Sequence, residues 1–228
     1  MTKARTGDRN KRLLIFFGLG IMIFAMALPL MALIPGGGSQ PPVNAEEHQQ
    51  LVAEVIMSSD RAELVGDSPT RGNPDAPLVL MKFSDFQCGF CARAAGPMAG
   101  FMAEHEEDVL YVYKHLPLTQ IHPEAIPAAR ASWAAQQQEQ FWAYHDALFA
   151  NQARLGRDLY PEIAQDLGLD MEQFERDRTS AAARDAVNQE VQLTRQLRLN
   201  RTPSFVLNDL LVPGTAPVEF FESVVTRV

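Results

Sequence analysis

Cysteine is scarce in this sequence. Among its 228 residues only Cys88 and Cys91 carry a thiol, so a four-cysteine zinc site is excluded. A mixed zinc site with His115 or His122 is a further alternative, but no zinc-ligand spacing supports it. We therefore expect no metal, and we expect the two thiols to work with each other or with a partner.

The sequence also lacks internal repeats, low-complexity tracts and a basic stripe. With 46% hydrophobic and 21% charged residues, the composition is that of one globular domain rather than of a disordered chain. The net charge is −8, and the arginines after residue 34 are scattered among glutamates and aspartates. Nucleic acid is therefore not an expected partner, because a phosphate backbone binds clustered basic residues.

Charge is missing altogether from residues 13–34. As a helix, these 22 residues would span about 33 Å, enough to cross the hydrocarbon core of a bilayer. Five basic residues and one acidic residue precede this run, and no basic flank follows it. By the positive-inside rule, residues 1–12 form a cytoplasmic basic tail and the chain after the run is exported.

We therefore expect a single-pass transmembrane helix at residues 13–34 in the inner (cytoplasmic) membrane, with the folded domain on the periplasmic, extracytoplasmic side. A cleaved signal peptide is the alternative interpretation. Its apolar region is normally about 7 to 15 residues long, and no convincing small-x-small cleavage site precedes Pro35. In both cases the domain lies where disulfide chemistry is permitted.

The exported part divides into a linker and one domain. Residues 35–60 contain a glycine- and proline-rich spacer and a short amphipathic helix at 46–57, and residues 61–228 form the domain. Local patterns predict strands at 78–83, 109–114, 204–207 and 210–212, and helices at 89–107, within about 120–199 and at 218–226. This order predicts an α/β core with an all-helical insertion.

The two cysteines lie where the first of these strands leads into a helix. A spacing of two residues at a helix start lets one sulfur face outwards while the other lies behind it within bonding reach. Unpaired N–H groups and the helix dipole stabilise a thiolate at this end, so Cys88 is the predicted nucleophile. Cys91 can then attack a mixed disulfide on Cys88 and resolve it, and the pair needs no cofactor.

An inert structural disulfide is the alternative role for this pair, and it is the commoner role of cysteines in exported proteins. So short a loop constrains little of the unfolded chain, and its entropic contribution to stability is correspondingly small. The strand-to-helix position therefore favours a reactive pair.

Several segments resemble the DsbA-like branch of the thioredoxin superfamily. The active-site segment RGNPDAPLVLMKFSDFQCGFCARAAGPM is followed, in the family's order, by YKHLPL, HPEAIPAARASWAA, FWAYHDALF and RTPSFVLN. The resemblance covers roughly residue 65 to the C-terminus and implies a thioredoxin-like fold. It also implies a cis peptide bond before Pro203, with Thr202 and Pro203 flanking Cys88 and holding an extended client backbone.

The sequence departs from this family between the cysteines. Strongly oxidising members often have Pro-His there, whereas this chain has Gly89 and Phe90. Without the histidine one group fewer stabilises the Cys88 thiolate, so a less oxidising pair is expected. Thr202 before the proline also resembles disulfide isomerases more than strong oxidases. Phe90 has little to pack against and is a candidate client contact.

The expected activity is that of an extracytoplasmic thiol:disulfide oxidoreductase that acts on cysteines of exported proteins, first as a dithiol oxidase. An isomerase or reductase is the alternative, and a non-catalytic chaperone or binding module with the same fold is another. The resemblance implies a membrane redox partner, either a quinone-linked oxidase or an electron donor.

Other polar and aromatic residues are left out of the predicted site. Asp85 could assist proton transfer at Cys91 but suits an exposed turn equally well, and His115 and His122 suit structural hydrogen bonds. The aromatic residues of the insertion have a helical spacing that favours burial. They are Trp133, Phe141, Trp142, Tyr144 and Phe149.

Overall fold

The computed structural model describes residues 44–214 and 216–227. The predicted basic tail and membrane helix, residues 1–34, lie outside this range, as does most of the predicted spacer. Within the described residues, no helix has both the length and the apolar character needed to cross a membrane.

A five-stranded mixed sheet forms the centre of the domain. Its strands are β1 (Thr70–Arg71), β2 (Leu78–Ser84), β3 (Val109–His115), β4 (Ser204–Leu207) and β5 (Leu210–Pro213), arranged in the order β1-β3-β2-β4-β5. Only β2 and β3 pair in parallel, and the other pairs are antiparallel. β2 lies in the middle and is buried at every position except Val79, as expected for an apolar strand covered on both faces. The four strands predicted from the sequence are confirmed, and β1 is an addition.

Helices cover both faces of this sheet. They are α1 (Ala45–Ser58), α2 (Arg61–Val65), α3 (Gly89–Glu104), α4 (Ala125–Gln136), α5 (Phe141–Ala150), α6 (Leu159–Asp166), α7 (Met171–Arg178), α8 (Ala181–Gln196) and α9 (Val218–Val225). Alternate residues of β2 point to opposite faces. Leu80 packs with α3 and α9 on one face, and Met81 packs with α1 and α2 on the other.

The insertion predicted at about 120–199 is present as α4 to α8. Seven residues of α4 are buried, six of them alanines, and these small side chains allow the neighbouring helices to approach closely. Phe86, which follows β2, packs in the same apolar cluster as both cysteines and the aromatic residues of α5. The insertion therefore forms one wall of the region around the cysteine pair.

The predicted helix at 46–57 is present as α1, but its assignment to a linker is wrong. Val52 is fully buried in the cluster that covers one face of the sheet. The Nε2 atom of His48 lies 2.7 Å from the carbonyl oxygen of Leu197, and Gln49 bonds to the backbone of Asp209 and Leu211. The folded domain therefore includes α1 and begins before residue 61.

Candidate active site

The connection between β2 and α3 places both cysteines. Asp85 lies just after β2, where its carboxylate accepts a hydrogen bond from Gln87 N at 2.8 Å, and its carbonyl accepts one from Cys88 N at 3.1 Å. This tight turn makes Cys88 the N-cap of α3 and puts Cys91 in the first helical turn. The predicted placement of Cys88 at the positive end of the helix is confirmed.

The two sulfur atoms have unequal surroundings, although both residues are free thiols in this structure. Cys91 is fully buried, as expected for the inner member of the pair. Cys88 is 6% exposed, which is less than the sequence predicted. The difference arises because the loop before β4 lies over it, with the carbonyl oxygen of Thr202 3.4 Å from the Cys88 Sγ atom.

These surroundings separate the acidities of the two thiols. The pKa of Cys88 is lowered to about 5, mainly because the Cys91 thiol hydrogen-bonds to it, with smaller contributions from Thr202 and from the N–H groups of Phe90 and Cys91. The pKa of Cys91 is raised, mainly because burial penalises its charged form and then because of its hydrogen bond to Cys88. At neutral pH the reduced pair therefore holds a thiolate at Cys88 and a thiol at Cys91.

The loop over Cys88 contains a cis peptide bond between Thr202 and Pro203. The cis geometry implied by the family resemblance is therefore confirmed, and so is the position of this loop beside Cys88. A glycine farther along the chain allows the close packing of this loop, since a Cβ atom on Gly214 would overlap the carbonyl oxygen of Pro203.

Asp85 and His122, which the sequence analysis left out of the site, form a buried link beside the cysteines. The Nδ1 atom of His122 lies 2.8 Å from Asp85 Oδ2, and Leu118 N donates to the same oxygen at 2.9 Å. Asp85 is buried, so of the two alternatives left open for it in the sequence, the exposed turn residue is excluded. The link joins the segment before Cys88 to the loop after β3. In the sequence, the one signal for the Asp85–His122 link is the position of Asp85, a short polar residue directly after an apolar strand.

Phe90 is 57% exposed, in agreement with the expectation that it has little to pack against. The Arg93 guanidinium lies 4.2 Å from the centre of its ring, which is a favourable cation–π distance. An apolar ring therefore lies in solvent beside Cys88 with a positive charge next to it. In contrast, Phe141, Tyr144 and Phe149 are buried in the insertion, as predicted, whereas Trp133 and Trp142 are only partly buried.

Comparison with known proteins places the chain in a family. A family model described as Thioredoxin matches residues 65–226. The chain belongs to the thioredoxin family. A thioredoxin-like oxidoreductase from Silicibacter pomeroyi DSS-3 has 30% identity and a TM-score of 0.63, with 74% of this chain and 97% of that chain covered.

Two further solved structures are similar in fold. The thiol-disulfide exchange protein alpha-DsbA2 from Wolbachia pipientis has 17% identity and a TM-score of 0.69, with coverage of 81% of this chain and 99% of that chain. The catalytic domain of Proteus mirabilis ScsC has 21% identity and a TM-score of 0.64, with coverage of 78% and 97%. At identities this low, the likeness to these two structures shows only that this thioredoxin-family chain shares their fold.

The curated relatives are much longer proteins. The Na(+)/H(+) antiporter NhaA 1 from Mycobacterium sp. (strain KMS) is 40% identical over 141 residues, which is 60% of this chain and 23% of the antiporter. This thioredoxin-family chain thus matches about a quarter of the length of the antiporters. Their name describes those proteins as wholes.

The unequal acidities predict how the thiols react with alkylating reagents. In the reduced protein, the rate of Cys88 alkylation by iodoacetamide should rise through a midpoint near the pKa of about 5 and should be level above about pH 7. In Cys91→Ala the midpoint should move upwards, towards the ordinary thiol value of about 8.5, because the largest stabilising hydrogen bond is lost. A wild-type midpoint near that ordinary value would contradict the assignment.

Proposed function

We propose that this chain is an extracytoplasmic thiol:disulfide oxidoreductase that exchanges disulfides with exported proteins through Cys88 and Cys91. The observation that carries the proposal is the pairing of a thiol with a pKa lowered to about 5 and a buried thiol of raised pKa one helical turn away. Reactive pairs need this asymmetry, because one thiolate must form readily while the other sulfur waits as a thiol.

The exchange follows from the positions of the two sulfurs. In the oxidised pair, a client thiolate attacks Cys88, the Cys88–Cys91 bond breaks, and Cys91 leaves with the bonding electrons. A second client thiolate then attacks the client sulfur of this mixed disulfide, and Cys88 leaves as a thiolate. The client gains a disulfide, and the pair is left as a dithiol for re-oxidation. In the opposite direction, Cys88 attacks a client disulfide and Cys91 resolves the mixed disulfide.

Oxidation of clients is the direction that we favour. A Cys88 thiolate that is stable at neutral pH stabilises the reduced pair, and a stabilised reduced form makes a stronger oxidant. Gly89 and Phe90 between the cysteines weaken this tendency relative to family members with Pro-His, and Thr202 resembles the isomerases. The alternative is therefore an isomerase or reductase with a more negative reduction potential.

The proposed setting is the periplasmic side of the inner membrane. Support for a single-pass anchor comes from the uncharged run at residues 13–34 and the basic residues before it. Clients would be exported proteins with cysteines. A membrane redox partner, such as a quinone-linked oxidase, would return the dithiol to the disulfide, and no further cofactor is needed for the exchange itself.

The role of each cysteine can be separated by substitution. Cys88→Ser should abolish oxidation of a reduced peptide dithiol, because no nucleophile or acceptor sulfur remains at the helix end. Cys91→Ser should instead trap a mixed disulfide between Cys88 and a client, visible by mass spectrometry and released by dithiothreitol. Full activity of Cys88→Ser in cells would contradict the proposal and favour the chaperone alternative.

We propose that a client bound at Cys88 contacts Thr202, Pro203 and Phe90. Phe90→Ala should slow exchange with unfolded protein clients by roughly threefold to tenfold, as expected for the loss of about 1 kcal/mol of apolar contact. It should leave the reaction with glutathione unchanged. Met57→Ala is the matched control, because Met57 lies on α1 and is also a highly exposed apolar side chain. If Phe90→Ala and Met57→Ala exchanged disulfides with diverse clients at equal rates, the proposed contact between Phe90 and clients would be wrong.

The direction of exchange can be read from the reduction potential of the Cys88/Cys91 pair. We expect a value above about −200 mV, between that of strong oxidants near −120 mV and that of glutaredoxin-like proteins. It can be measured by equilibration of the protein with glutathione buffers. A value near about −270 mV would identify a reductant and overturn the proposed direction, while thiol:disulfide exchange itself would stand.

A further inference from the structure

A group of buried polar side chains lies under the cysteine pair and takes no part in the exchange described above. Its members have polar atoms without a hydrogen-bond partner among the described residues. They are Lys82 Nζ, Ser84 Oγ, Tyr113 OH and His145 Nε2. The Tyr113 and His145 rings lie 5.2 Å apart, and both contact Phe86 beside the cysteines. Buried unpaired polar atoms are costly, so this cluster calls for an explanation.

Lys82 is the most unusual member. It lies in the middle of β2 between Tyr113 and Phe205 and has no exposed surface. Its position on the strand puts it on the same face as Ser84, towards α3 and the cysteines. The Nζ atom lies 5.4 Å from the centre of the Phe149 ring, which offers a cation–π contact in place of a carboxylate.

A second buried lysine, Lys114, provides a comparison for the hydrogen bonding of Lys82. Lys114 lies on β3 beside Phe83 and faces the opposite side of the sheet. Its Nζ atom donates to the carbonyl oxygen of Val65 at 3.0 Å and to Ser68 Oγ at 2.7 Å. Lys114 is therefore held by direct hydrogen bonds, whereas Lys82 is not.

The charges that reach Lys82 come mainly from the active site. Burial lowers its pKa to about 8, while Cys91, Asp146 and Cys88 act in the opposite direction. Asp146 already bonds to the Nδ1 atom of His145 at 2.7 Å and pairs with Arg71 at 3.7 Å.

The other titratable groups that face Lys82 are neutral at physiological pH. Burial lowers the pKa of His145 to about 4 and raises the pKa of Tyr113 well above its usual value. The thiolates of the cysteine pair are thus the anions for which the Lys82 charge remains available.

We propose that the buried Lys82 ammonium stabilises the negative charge of the opened pair, first on the Cys91 sulfur as the disulfide breaks and then on the Cys88 thiolate of the reduced pair, and so makes the pair a stronger disulfide donor. This inference rests on the proposed function. When a client thiolate bonds to Cys88, the Cys88–Cys91 bond breaks and Cys91 keeps its electron pair beside the ammonium. The ammonium then gives a proton to Cys91, which becomes a thiol, and the Lys82 amine regains a proton from solvent. Lys82 thus acts on the resolving sulfur both as a positive charge and as a proton donor.

Lys82→Met in the full chain tests this role, because methionine keeps most of the side-chain volume and removes the charge. The equilibrium constant with glutathione at pH 7 should shift at least about tenfold towards the oxidised pair, which is about 30 mV more negative. Lys114→Met, the matched loss of a buried lysine on the other face, should shift it less than about twofold. Thermal unfolding of both variants reports separately on stability.

The pH dependence supplies a second readout that a purely structural role would not change. In the wild type, the stabilisation of the reduced pair should fade as pH rises through the Lys82 pKa of about 8, because the ammonium loses its proton. This extra fall in reduction potential should be absent from Lys82→Met. Lys82→Arg, which stays charged, should keep the wild-type equilibrium at pH 7 and lose the fall near pH 8. It also tests the role if Lys82→Met does not fold.

The outcomes separate this inference from the proposed function. An unchanged equilibrium in Lys82→Met, with exchange still dependent on Cys88, would overturn the role of Lys82 and leave the oxidoreductase intact. Equal shifts in Lys82→Met and Lys114→Met would also overturn it, since any buried lysine would then have the same effect. Absence of exchange in the wild-type chain would overturn the proposed function, and the role of Lys82 with it.

Discussion

The difference in surroundings between two sulfur atoms one helical turn apart is the constraint on which the site depends. Cys88 lies at the end of α3, where hydrogen bonds stabilise its thiolate, and Cys91 lies inside the helix, where burial disfavours one. β2 aims the chain at this point, and the Asp85–His122 link fixes the turn that follows. The cis-proline loop then closes over the outer sulfur. The arrangement gives the two sulfurs the unequal acidities that the proposed roles of attacking and resolving thiol require.

The elements that carry this arrangement were predictable because their signals are local. The apolar runs that form β2, β3 and β4 read as strands, and two cysteines after such a run read as a helix start. The cis bond before Pro203 was implied by resemblance, since no property of an isolated Thr-Pro pair requires it. In each case the relevant residues are adjacent in sequence.

The features that the sequence did not predict depend on contacts between distant residues. The packing of Val52 against the sheet and the bond between Asp85 and His122 each join segments far apart in the chain. The low exposure of Cys88 results from the loop at Thr202, which is 114 residues away. The burial of Lys82 was missed although its sequence neighbourhood is local. One lysine does not interrupt an apolar run, so the strand was predicted correctly while its buried charge went unnoticed.

The loop that carries Thr202 leaves little of Cys88 accessible to another protein. With 6% of the residue accessible and the Thr202 carbonyl oxygen 3.4 Å from its sulfur, Cys88 is best reached by a sulfur on a thin, flexible stretch of polypeptide. A cysteine already enclosed in the core of a native protein cannot meet this steric demand. If the chain exchanges disulfides with exported proteins as proposed, its substrates are therefore polypeptides that have not yet folded around their thiols.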